Sequence, residues 1–305
     1  MGILLGLLTA LSWGTSDFIA RFAAHKIGAL RTTFYMQLAG FVLLSLFLPW
    51  IGGWGHLFDG SGWHPWAWGA LAGLLNGIAT LALYRSFEVG KLAVVAPLSA
   101  SYPALTLALS LFTGEHLTAA RITGSALIVA GVALVAGGEK TPAESSTKKS
   151  CEEGSVVPAL PAAVKSGIGW ALLAATGFGF LFWLLGTRII PAVGYGATVW
   201  MIRLTSSILT ALAIFFLRHP VALRRSGPLP IWLVGMGALD TGAFVMSNYG
   251  MQLEQVSVVT VLTSLYGAVT VALAAIFLRE RISRWQWLGI AAIFTGIFLI
   301  SRQQP

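Results

Sequence analysis

Apolar runs of about twenty residues recur along this 305-residue chain. A helix of that length crosses a hydrocarbon core of about 30 Å, and no soluble core needs so many of them. They fall at residues 2–22, 31–51, 66–87, 92–112, 117–137, 167–187, 195–217, 230–250, 256–278 and 284–301. Each is continuously apolar rather than alternating, which predicts helices and not the strands of a barrel. Only 10% of the residues are charged, against about a quarter in a soluble domain. The chain therefore reads as an all-α integral membrane protein with ten transmembrane helices.

Lysine and arginine set the predicted orientation. The connections after spans 1, 3, 5, 7 and 9 hold fifteen of them, from Arg21 and Lys26 to Arg281 and Arg284, and the opposite side holds only Arg121, Arg188 and Arg302. Positive charge stays in the cytoplasm, so both termini are expected outside. The net charge of +8 then reflects topology and lipid phosphate, not nucleic acid. The first run lacks a basic region before it, so it reads as a span and not as a cleavable signal peptide. Residues 138–165, rich in Ser, Pro, Glu and Lys, read as a flexible cytoplasmic linker. Cys151 within it excludes an intramolecular disulfide. The outer loop "PWIGGWGHLFDGSGWHPWAWG" (49–69) reads as an interfacial tryptophan belt, and His56, Asp59 and His64 in it as incidental rather than a metal site.

The chain also repeats itself. At a shift of 165 residues, Gly14 falls on Gly179, Pro65 on Pro230, Gly77 on Gly242, Tyr84 on Tyr249, Gly124 on Gly289 and Gly131 on Gly296. "VVAPLSASYPALT" (94–106) matches "VVTVLTSLYGAVT" (258–270) at a shift of 164. This predicts a first five-helix repeat at 1–137 and a second at 166–305. Five is odd, so the second half enters the membrane the other way up, an arrangement that suits a transporter with its site between the repeats. Gly69, Gly73 and Gly77 stand four apart and predict close helix packing, within the chain or in a homodimer.

These same stretches resemble a known family. "LSWGTSDFIARF" (11–22) is similar to the Trp-Gly-Ser/Thr opening of the EamA branch of the drug/metabolite transporter superfamily. More specific are residues 94–135 and 258–300, with Gly114-Glu115 and Arg279-Glu280 ahead of spans 5 and 10. The resemblance covers essentially the full chain. It implies ten helices around a central cavity and secondary transport of small metabolites, usually outward. Many members carry arginine in span 2, where this chain has Gln37.

Ionisable residues within spans usually face the bundle interior and mark a pathway. Here they are Arg203, Asp240 and Asp17. Arg203 and Asp240 are expected to contact substrate charges, or each other when the site is empty; arginine grips a carboxylate bidentately. Asp17 has two readings: a proton carrier that releases its proton when the cavity hydrates or a cation arrives, or a partner of Arg21 one turn on. Its position in span 1 resembles that of the acidic residue of the superfamily's small multidrug members. Trp13, Ser16, Gln37, Asn76, Tyr84, Tyr102, Trp183, Asn248 and Tyr266 complete the candidate cavity, a wall suited to a small amphipathic solute. Pro97 and Pro103 are expected to kink span 4. Glu115 and Glu280 read as helix-dipole partners.

No GxxxxGK[ST], HExxH or spaced His/Cys cluster occurs. The expected protein is thus no enzyme and has neither cofactor nor metal. Its partners are a small-molecule substrate, the lipid bilayer and protons, with no nucleic acid, and it is a monomer or homodimer. It is a multi-pass protein of a bacterial-type inner membrane that exports amino-acid-like or zwitterionic solutes. Uptake of a neutral sugar and efflux of drugs or cations are the alternative transport readings.

Overall fold

A computed structural model describes residues 1–51, 53–111, 119–137, 167–220, 227–253, 256–279 and 283–301. The linker with Cys151, and Glu115 and Glu280, lie outside the described residues. The first half holds α1 (Gly2–Ile27), α2 (Ala29–Phe47), α3 (His64–Val89), α4 (Leu92–Ser99), α5 (Tyr102–Leu111) and α6 (Ala119–Gly137). The second holds α7 (Ile168–Leu184), α8 (Ile190–Val193), α9 (Tyr195–Phe216), α10 (Leu229–Leu253), α11 (Val256–Ser264), α12 (Tyr266–Leu273) and α13 (Arg284–Ser301). A π-turn at Leu185–Ile189 joins α7 to α8, and another follows α12 at Ala274–Leu278. Among the described residues the fold is all helical.

Among the described residues, five stretches are long and apolar enough to cross a membrane: Ala29–Trp50, His64–Val89, Ile168–Val193, Tyr195–Phe216 and Leu229–Leu253. Shorter apolar helices cover Leu92–Thr106, Leu262–Leu278 and Trp287–Leu299. Helix is the only way such runs satisfy their backbone polar groups away from water. Gly28 (φ 83°) and Gly194 (φ 92°) end one helix and begin the next, a left-handed turn that a side chain would strain.

The stretches expected as spans 4 and 9 are both broken, the first at Ala100–Ser101 and the second at Leu265. Pro97 and Pro103 foretold the first break. A continuous helix was expected across 256–278, and that expectation is corrected: the helix is interrupted at Leu265, with no proline to mark the break. Beside it α12 packs closely on the broken region of the other half, where a Cβ on Gly267 would lie 2.7 Å from Ala100 Cβ.

The packing of the two halves is reciprocal. α1 lies mainly on α10, and α7 mainly on α3; α6 and α13 lie against each other. Gly131 sits where a Cβ would be 2.6 Å from Gly289 O, and Gly296 packs as closely on Gly124 O. Thr106 Oγ1 donates to Gly179 O (3.1 Å), and its mate Thr270 Oγ1 to Gly14 O (3.3 Å). Gly69, Gly73 and Gly77 meet Met201, Thr205 and Leu209 of α9, so that small-residue face packs within the chain.

Candidate solute-binding site

The cavity between the halves is built from pairs of residues one helical turn apart, which share a helix face. α1 contributes Trp13 and Asp17, α3 Thr80 and Tyr84, α7 Phe178 and Phe182, and α10 Asp240 and Phe244. Leu83, Tyr102 and Tyr266 complete the lining. The enclosed space is about 30 Å³ and widens through its mouth to about 400 Å³ in all.

Five rings form one aromatic cluster. Trp13 meets Phe182, Phe244 and Tyr266 edge-on, with centroids at 5.9, 5.0 and 6.1 Å. Tyr102 stacks on Phe182 at 4.9 Å, and Phe182 faces Phe244 at 6.2 Å. The phenols of Tyr102 and Tyr266 cross between halves. Tyr102 Oη lies 3.0 Å from Thr263 Oγ1, and Tyr266 Oη lies 3.1 Å from Ser99 Oγ. Ser99 and Thr263 are themselves repeat mates, so the two broken helices are pinned to each other twice by the same bond.

Arg203 does not line the cavity. It is 0% exposed, and its Nη2 lies 2.6 Å from Oδ2 of Asp240, whose side chain is 13% exposed. Nη1 donates to Gln37 Oε1 (2.6 Å), and the guanidinium carbon lies 5.0 Å from the Phe244 ring centre. Gly40 makes the room: a Cβ there would stand 3.2 Å from Arg203 Cδ and 3.3 Å from its Nε. Gln37 thus supports Arg203 from behind instead of facing a solute. Asp17 is buried and lines the cavity. Arg21 turns away from it, donating to the carbonyls of Phe87 and Gly90.

Besides Gln37, four expected wall residues lie elsewhere. Asn76 Nδ2 donates to Ser206 Oγ (3.5 Å), which itself donates to Gly73 O (2.7 Å), tying α3 to α9. Asn248 Nδ2 donates to Tyr195 O (3.4 Å). Trp183 is one residue, and so about 100° of helix, past the lining residue Phe182. Ser16 donates to Met236 O (3.5 Å). Of the residues that were missed, Phe178 and Phe182 are the repeat mates of Trp13 and Asp17, so the 165-residue shift could have found them. Phe244, one turn after Asp240, carried the helical spacing as its signal. In the loop between α2 and α3 His56 Nδ1 meets Asp59 Oδ2 at 2.5 Å, while His64 stacks on Trp63.

Against known proteins, the family model described as the EamA-like transporter family matches residues 1–137 and again 165–302. The chain belongs to the EamA-like transporter family. It is accordingly a multi-pass membrane protein of a family of transporters, not enzymes, and its partners are a small-molecule substrate and the lipid bilayer. An uncharacterized protein of Methanocaldococcus jannaschii is 31% identical over 134 residues, which is 44% of this chain and 94% of that protein. That relative is thus about as long as one half of this chain. A crystal structure of a protein 19% identical superposes with a TM-score of 0.65, over 98% of this chain and 95% of its own, and shows the shared fold.

Proposed function

We propose that this EamA-like protein is a secondary active transporter that exports small amine-bearing metabolites, amino-acid-like or zwitterionic, by alternating access. Its ten spans form two inverted five-helix repeats, 1–137 and 166–305, joined by a cytoplasmic linker at 138–165, with both termini outside a bacterial-type inner membrane. The observation that carries this reading is the cavity between the halves, where Asp17 of the first and Asp240 of the second share an aromatic wall. The reciprocal bonds of Tyr102 and Tyr266 support the inverted repeat. Two like packings of one architecture can exchange which side is open.

In this mechanism the solute ammonium meets Asp17 and Asp240, its apolar body lies among Trp13, Tyr84, Tyr102 and Tyr266, and Asp17 carries the exchanged proton. Arg203 and Gln37 hold Asp240 in place. The test is charge movement in proteoliposomes on rapid application of amino acids, amines and sugars, with internal pH followed in parallel. Solute-dependent current or proton flux that vanishes in Asp17→Asn supports the reading. Sugar-dependent signals alone, unchanged in that variant, would replace it with neutral sugar transport.

A further inference from the structure

The cavity holds two carboxylates and no cation of its own. Among the described residues the arginine beside it, Arg203, is turned into the protein: its two Nη atoms serve Asp240 and Gln37, and a Cβ on Gly40 of α2 would stand 3.3 Å from its Nε. What remains exposed to a solute is Asp17, the free side of Asp240, and aromatic ring faces. Ring faces carry negative potential and attract cations within about 6 Å. The cluster already holds one cation in that way, the Arg203 guanidinium over Phe244. With the Arg203 charge set against that of Asp240, the carboxylate of Asp17 is the surplus charge of the site. A solute carboxylate brought here would meet the surplus charge of Asp17 and, in the lining, only neutral donors. One of these is Trp13 Nε1, a buried donor with no partner among the described residues.

We infer that the cavity selects the ammonium end of its solute and contains no carboxylate receptor, so that aromatic amines and organic cations are its substrate class. This rests on the transport reading above and narrows it. An amino acid is bound by its amine and is penalised for its carboxylate. The decarboxylated amine is the better ligand.

The experiment uses three probes of one skeleton on the purified full chain in detergent: 2-phenylethylamine, phenylalanine and 3-phenylpropanoate. Binding is measured by equilibrium dialysis of radiolabelled 2-phenylethylamine with the other two as competitors, and uptake of each probe into proteoliposomes is measured alongside. The expected order is amine over zwitterion by at least about tenfold, with no competition by the anion. Asp17→Asn weakens amine binding by a similar factor, and Asp17→Glu restores part of it. Phenylalanine binding tighter than the amine, or competition by the anion, overturns the inference while uptake leaves the transport reading standing. If no probe binds or is taken up, the cavity is not the solute site and both readings fall.

Discussion

The two halves of this protein agree in their backbone contacts and differ in their charges. Repeat mates make the same bonds wherever helices cross: Thr106 and Thr270 each donate to a glycine carbonyl, and Gly131 and Gly296 each sit on the other half's glycine. At the cavity the mates part. Asp17 stands where the second half has Phe182, and Arg203 aligns with Leu38. Close packing tolerates few solutions at a crossing, so both halves keep the same one. A charge out of water is costly and needs a specific partner, so one per role is enough. The halves share an architecture and divide the chemistry.

The largest test of that division compares the two carboxylates. Asp240→Asn leaves Arg203 buried without its counter-charge and should cost about 3–5 kcal/mol of stability, read as a lowered unfolding temperature in detergent. Asp17→Asn should leave that temperature nearly unchanged. Equal losses would mean that the first-half carboxylate is structural too. The double change Arg203→Leu with Asp240→Leu should recover much of the loss, because well-packed apolar residues can replace a buried pair.

A smaller effect tests the shared packing. Gly131→Val and Gly296→Val should each destabilise by about 1–3 kcal/mol, and by similar amounts in the same unfolding assay. A large effect at one site with none at the other would break the reciprocity of α6 and α13. Smaller again, Tyr266→Phe removes the crossed hydrogen bond to Ser99 Oγ, worth about 1 kcal/mol, and Tyr102→Phe removes those to Thr263 Oγ1 and Thr260 O, so a loss at Tyr102 equal to or larger than that at Tyr266 sharpens the comparison.

The smallest effect lies in the loop between α2 and α3. The Ser61 side chain, then His56, stabilise the Asp59 carboxylate and bring its pKa down to about 2. A carboxylate depressed on folding contributes above its ordinary value, near 3.8, and the contribution is lost as pH falls toward 2. The His56 ring resonances should therefore shift between pH 5 and pH 2 with Asp59, and Asp59→Ala should abolish that part of the titration.

Much of this was legible in the chain. Continuous apolar runs dictate helices in lipid, since no other structure satisfies their backbone there, and the described helices fall where those runs lie. The 165-residue shift pairs the residues that bond reciprocally, and helical spacing places Trp13 with Asp17 and Asp240 with Phe244. Other features depended on neighbours far away in sequence. The break at Leu265 has no proline to announce it, and Gly267 beside it packs on Ala100 of the other half. Asn76 and Asn248 carry polar groups suited to a wall, yet they tie helices together elsewhere. Trp183 and Phe182 differ by one residue, and only the rotation of α7 against α3 decides which ring meets the cavity. By itself, the sequence determined the helices, the repeat and the identity of the few intramembrane charges, because each follows from periodicity and the price of leaving water. Only the tertiary structure decided that Arg203 turns inward to Asp240 and Gln37 while Asp17 lines the cavity, because helix rotation and the room left by Gly40 are set by packing between segments.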